Sequence, residues 1–238
     1  DQRLSRGLGD VYKRQSLDLG VTTALIGNCG FTMAPCKPEH RDLNMLNLTK
    51  VEGMPYETLK EGIDWRYETY KEYLDLLDRK KLALNICSYI GHSAIRIWSM
   101  GRASMERKAN ENEIIEMEKI VRDAMNCGAI GFSTSTFEGH NGHGGLPMPS
   151  RMASNQEISR LVKAMAHQGR GLFMLTKSNN TSIENIEKIV GDVKRPTMIA
   201  AILYNPTKKN WAINTLKDIS ISSKKGFEFW GQVSCRPL

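Results

Sequence analysis

The chain has 238 residues, 40% of them hydrophobic, and a formal net charge of +7. This suits one α/β domain or part of one, and no apolar run approaches the ~20 residues that a membrane span needs. The positive charge is dispersed in Lys/Glu mixtures such as Lys60-Glu61 and Glu116 to Lys119, with few aromatics between, so it reads as solvated helix faces and not as a nucleic-acid-binding stripe.

In chain order, the first segment, DQRLSRGLGDVYKRQ, shows neither periodicity nor a capping pattern. Asp10 to Gln15 resembles the translation of a transposon sequencing adapter. Residues 1–15 are therefore expected to be a non-native leader, set aside in fold reasoning, with the reading frame proper beginning near Ser16. No signal peptide is visible. The five cysteines, at 29, 36, 87, 127 and 235, form no CxxC pair or regular framework; reduced thiols in a cytoplasmic setting are expected.

GVTTALIGNCG, from Gly20 to Gly30, is a β-branched apolar run that ends on Asn28-Cys29-Gly30. Such a run without polar alternation reads as a strand buried on both faces, and the glycines and asparagine after it are turn chemistry. Residues 31–65 read as a long connection, and 66–80 as a helix with Tyr70, Tyr73, Leu74 and Leu77 at helical spacing. Residues 83–90 read as a buried strand stopping at Gly91-His92.

An amphipathic helix over 111–127 follows, stopped by Gly128. Residues 129–132 form a short strand ending on Ser133-Thr134, and a Gly/His/Pro-rich loop covers 137–150. Ser154 caps the next helix, with Glu157 placed as its capping-box partner. Further strands are expected at 171–175, ending on Thr176-Lys177, at 196–203, ending near Tyr204-Asn205, and at 227–233, ending on Ser234-Cys235. Helices at about 182–194 and up to about 225 separate them.

Strand–helix alternation means parallel strands with right-handed crossovers. No GxGxxG or GxxxxGK[ST] opens a helix, which removes support for a nucleotide-binding open sheet. The expected fold is α/β, a partial TIM (β/α)8 barrel over 16–238. About six strands do not close an eight-stranded barrel, so the chain is expected to be a fragment truncated at both ends.

The active face of such a barrel lies just past each strand. Cys29, His92, Ser133, Thr134, Lys177 and Asn205 would then converge on one mouth. Each also has a plain structural explanation: Cys29 as a buried thiol, His92 as a hydrogen-bonded cap, Ser133 and Thr134 as turn residues, Lys177 as a solvated lysine.

GVTTALIGNCGFTMAP (20–35), LDLLDRKKLALNICSYIGHSAIR (74–96) and GAIGFSTSTF (128–137) together resemble the N-acyl-D-amino-acid deacylase (D-aminoacylase) branch of the amidohydrolase superfamily. The resemblance implies a zinc-dependent barrel that hydrolyses a non-peptide C–N bond in an N-acyl amino acid or similar small amide. It implies that Cys29 is a zinc ligand, in chemistry where zinc lowers the pKa of bound water to about 7. It also implies one or two Zn2+ with an incomplete ligand set here. The family's His-x-His pair would lie upstream of Ser16 and its catalytic aspartate beyond Leu238, so the fragment itself is expected to be inactive. Where the family has a Thr-His strand end this chain has Thr176-Lys177, and Ala200 to Asn205 holds no histidine.

Lys177 is the catalytic candidate. It reads as an uninvolved lysine, as an ammonium stabilising an oxyanion, or as a metal-bridging carbamate. His92, Ser133, Thr134 and Asn205 are substrate-binding candidates. His140 and His143 sit on a loop where their spacing is a weak metal signal; the expectation is a mobile loop over the barrel mouth, contacting substrate if anything. The alternative to a hydrolase is a pseudo-enzyme or a zinc-free small-molecule-binding barrel. The expected partner is a small molecule, with neither nucleic acid nor membrane.

Overall fold

The computed structural model describes residues 17–80, 82–204 and 206–233. The proposed leader and the strand end Ser234-Cys235 lie outside the described residues. Six strands, β1 (Thr23–Ile26), β2 (Asn85–Gly91), β3 (Gly131–Ser135), β4 (Leu172–Thr176), β5 (Thr197–Ala200) and β6 (Phe229–Gly231), form one sheet in the order β1-β2-β3-β4-β5-β6. Every pairing is parallel. A doubly wound sheet reverses its strand order at a switch point; this one never reverses, so it is the unclosed arc of a TIM-type barrel.

The helices are α1 (Arg41–Val51), α2 (Tyr56–Gly62), α3 (Tyr70–Arg79), α4 (His92–Met100), α5 (Glu111–Cys127), α6 (Asn155–Met165), α7 (Ile183–Val190) and α8 (Trp211–Lys224). Local chemistry sets their ends. Thr69 and Glu72 form a reciprocal capping box for α3, and Asn110 and Glu113 form one for α5. Gly128, at φ 112°, ends α5 in the left-handed region that glycine adopts without cost. Among the described residues, no helix is long and apolar enough to cross a membrane.

The strands alternate between two faces. Ile90, Phe132, Phe173, Leu175, Ile199 and Phe229 pack outward with Met117, Val121 and Met125 of α5, Leu161 of α6 and Ile186 of α7 in the main core. Phe132 and Phe173 stack with ring centroids 6.0 Å apart. The inner face carries a smaller cluster of Tyr89, Met174 and Ala200, joined by Leu25, Met198 and Cys29.

Several expectations change. Strand β1, expected to be buried on both faces, is at most half-buried over Thr23–Ile26, and β5 and β6 end earlier than expected, at Ala200 and Gly231. The connection at 31–65 contains α1 and α2. Helix α1 buries Asn44 and Asn47 beside Met45, so it shows no apolar stripe to a periodicity count. The strand expected at 129–132 runs instead from Gly131 to Ser135, with all five residues buried. Ser133 and Thr134 are therefore interior strand residues and not turn residues past its end.

Phe132 is fully buried between the sheet and the helices. Phe132→Ala should cost about 3–5 kcal/mol, read as a lowered urea midpoint with an unchanged slope.

Candidate active site

The site begins with the turn after β1. Gly27, Cys29 and Gly30 all have positive φ, at 85°, 60° and 78°. A Cβ on Gly30 would come within 3.0 Å of the Ser133 carbonyl and 3.1 Å of the Thr134 Cα, so the turn sits directly on β3. Cys29 holds a left-handed conformation despite its side chain, at a cost of roughly 1–2 kcal/mol. A residue kept there against such a cost points to a use for its side chain.

The Cys29 thiol accepts a hydrogen bond from Thr176 Oγ1 at 3.1 Å, and its backbone N–H points at Met174 Sδ at 3.3 Å. Burial pushes the thiol pKa above its ordinary value; the Thr176 hydroxyl offsets part of this, and the charge of Glu52 adds to it.

Beneath the turn lies a polar network closed to solvent. Ser133 Oγ donates to the Gly27 carbonyl at 2.5 Å. His92 Nδ1 lies 2.7 Å from Thr134 Oγ1, and His92 Nε2 lies 2.9 Å from Glu157 Oε1. Arg96 Nη1 donates to both Glu157 oxygens, at 2.5 and 2.7 Å, and Nη2 to the carbonyls of Ser104 and Arg107. His92, Arg96 and Thr134 are 0% exposed and Glu157 is 1% exposed. Burial raises the Glu157 pKa, but the hydrogen bonds from His92 and Arg96 and the charge of Arg96 outweigh it and hold the carboxyl below its usual range. Burial lowers the His92 pKa more than Glu157 raises it. A neutral His92 donating Nε2–H to Glu157 leaves Nδ1 to accept the Thr134 hydroxyl.

Glu157 is the residue that sequence reasoning misplaced. Its backbone N–H does bond the Ser154 cap at 3.1 Å, as the motif requires. Its carboxylate turns into the core instead of back to the cap, towards partners 65 and 61 residues away in the chain. No local pattern encodes that choice.

A cavity of about 790 Å³ opens at the carboxyl ends of β1, β4 and β5, with Asn28, Cys29, His140, Thr176, Lys177 and Trp211 in its wall. His92, Ser133 and Thr134 do not line it; Asn205 lies outside the described residues. Lys177 is 8% exposed. Its Nζ donates to the carbonyls of Ser178 and Thr181, each at 3.2 Å, and lies 4.8 Å from the centre of the Trp211 ring. Burial lowers its pKa, partly countered by Glu138 and Asp218.

His140 is held by Ser135 Oγ at 2.7 Å from Nδ1 and by the edges of Phe31 and Phe137. Burial, aided by the charge of Arg151, lowers its pKa to about 4. His143, by contrast, is exposed.

Among the described residues, no group of three His, Cys, Asp or Glu could hold a metal ion. One thiol with a hydroxyl and a thioether beside it does not make a four-donor zinc shell. By themselves these residues do not fit zinc.

No family model matches the chain. It is 31% identical over 150 residues to a D-aminoacylase of Alcaligenes xylosoxydans xylosoxydans, a match covering 63% of this chain and 26% of that protein. It is 29% identical over 118 residues to an N-acyl-D-aspartate deacylase of the same organism, covering 50% of this chain and 21% of that protein. In fold it is similar to an N-acyl-D-glutamate deacylase of Bordetella bronchiseptica, solved with zinc and a phosphonate inhibitor. That match has a TM-score of 0.69 and 21% identity and covers 94% of this chain and 44% of that one. The chain thus spans about a quarter of the length of the curated relatives it matches.

The network and the thiol give three expected outcomes. Glu157→Gln strips the buried Arg96 of its counter-charge and should destabilise the fold by about 3–5 kcal/mol, measured by denaturant unfolding. Thr176→Val removes the hydrogen bond that favours the thiolate, so the pH midpoint of Cys29 alkylation should move further up. His92 and His140 have folded pKa values below the unfolded value of about 6.5, so the unfolded chain binds more protons in acid. Stability should be full above pH ~6.5 and fall as the pH drops towards 4, and His140→Asn should flatten that fall.

Proposed function

The chain is related, over part of their length, to the D-aminoacylase-type deacylases of the amidohydrolase superfamily, and on that premise we propose that the protein carrying it is a metal-dependent hydrolase of C–N bonds in N-acyl amino acids or similar small amides. The observation that carries this reading is Cys29 itself. It is a thiol-bearing residue kept at positive φ, at the carboxyl end of a barrel strand, in the wall of a cavity of about 790 Å³. In a TIM barrel, strand ends of that kind supply reacting groups.

Zinc comes to this proposal from the relatives. Cys29 is the donor that the described residues would contribute, and the remaining donors would come from residues outside them. The metal's part in the reaction therefore rests on the relationship alone.

The chain's own residues have definable parts. Thr176 fixes the sulfur. Ser133, Thr134 and His92 hold the turn from below, so their proposed contribution is to position Cys29 and not to touch substrate. Asn205, next in sequence to the cavity-lining Tyr204, is proposed to reach the substrate. Lys177, with its Nζ directed at two carbonyl oxygens, is arranged as an ammonium, which supports a charge-supplying role over a carbamate. The free cysteines at 29, 36, 87 and 127 support a cytoplasmic setting.

The test is release of free amino acid from a panel of N-acetyl amino acids, with zinc content measured in parallel. Bound zinc and turnover should both fall in Cys29→Ala, turnover by more than about 100-fold given what even outer-shell partners of metals contribute. Turnover that survives both chelation and Cys29→Ala would contradict the proposal.

A further inference from the structure

The buried network beneath the Cys29 turn leaves polar atoms unanswered at its outer end. Arg96 commits Nη1 to Glu157 and Nη2 to the carbonyls of Ser104 and Arg107. Its Nε–H has no hydrogen-bond partner among the described residues, and the hydroxyls of Ser104 and Ser150 have none either. All three residues are 0% exposed. A buried donor or acceptor left bare bears its whole desolvation penalty, so three of them at one junction call for a common partner.

The three stand on elements packed against one another. Arg96 belongs to α4, Ser104 to the turn Gly101–Met105 and Ser150 to the turn Pro149–Met152, and each of these elements touches the other two. The bond from Nη2 to the Ser104 carbonyl, at 3.2 Å, places that serine against the guanidinium. The Ser150 N–H donates to Ser93 Oγ at 3.4 Å, and Ser93 precedes Arg96 by three positions, on the same face of α4.

Charge decides what kind of partner fits. Arg96 meets Glu157 at 2.5 Å, and Arg107 meets Glu113 at 2.6 Å. These pairs balance, so no net charge is left to hold an ion, and an unpaired ion is costly to bury. The partner must be neutral, must accept from Arg96 and must bond two hydroxyls. Water does all three, and about three hydrogen bonds is the usual number for an internal water.

We propose that one buried water molecule is bound where α4 meets these two turns, accepting the Arg96 Nε–H and bonded to the hydroxyls of Ser104 and Ser150. All five N–H groups of the guanidinium are then used. The water completes the hold of Arg96 on Glu157, and through Glu157 on His92 and Thr134 below the reactive turn. This inference rests on the geometry of the network and is independent of the deacylase reading.

Diffraction fine enough to place ordered waters tests it on crystals of the protein carrying this chain, with a second data set after a bromide soak. A water should stand within hydrogen-bonding distance of Arg96 Nε and of both serine hydroxyls, and bromide should leave the site unlabelled. A dry junction, a direct bond from Nε to a protein atom, or a bromide peak at the site would each overturn the proposal. Unfolding in denaturant gives a second readout. Ser104→Ala and Ser150→Ala each take one partner from the water and should raise the unfolding equilibrium constant roughly three- to tenfold, the size of one hydrogen bond. Bare hydroxyls would behave in the opposite way: an unfolding constant that stays the same or falls on their removal would contradict a bound water.

Discussion

The site depends on a backbone constraint: the left-handed turn from Gly27 to Gly30 has to rest on β3. Ser133 Oγ holds the Gly27 carbonyl, and Gly30 lies too close to Ser133 and Thr134 to carry a side chain. Cys29 shares the turn's positive φ without a glycine's freedom. Its thiol faces Thr176 across the barrel interior because the turn is pressed onto that floor. If the floor shifted, the thiol would lose its direction before the fold lost its core.

The floor is polar and buried, and that is expensive. A charged Arg96–Glu157 pair is destabilising to desolvate and repays the cost only when its remaining hydrogen-bonding positions are filled. Here most are. Arg96 reaches two backbone carbonyls, and Glu157 takes His92 as a further partner. An apolar substitute could fill the same volume, but it could not fix the rotamer of His92 or, through it, the hydroxyl of Thr134. The network ties α4, α6 and β3 to one geometry directly beneath the reactive turn.

Much of this was legible in the sequence, for physical reasons that differ by element. Helix α5 has its expected bounds because a capping asparagine and a left-handed glycine mark its ends. The β1 turn was legible because glycines on both sides of a cysteine, after a β-branched run, have few other uses. What was hidden depends on long-range pairing. Helix α1 is invisible to a hydrophobic count because Asn44 and Asn47 are buried through hydrogen bonds, Asn44 to the Cys36 sulfur and Asn47 to the loop at His143. The Ser133-Thr134 pair looked like a turn because polar residues inside a strand make sense only once their partners are known. Cys29 and Lys177 were found at the cavity. His92, Ser133 and Thr134 were found near it, but one layer below.

Cobalt substitution tests the central claim, that the Cys29 thiol is placed to hold a metal ion, most directly. In the protein carrying this chain, Co2+ should produce a thiolate-to-metal charge-transfer band that saturates at stoichiometric metal. The band should vanish in Cys29→Ser while the fold, followed by circular dichroism, is unchanged. Stoichiometric cobalt without that band, or a band that survives Cys29→Ser, would contradict the account.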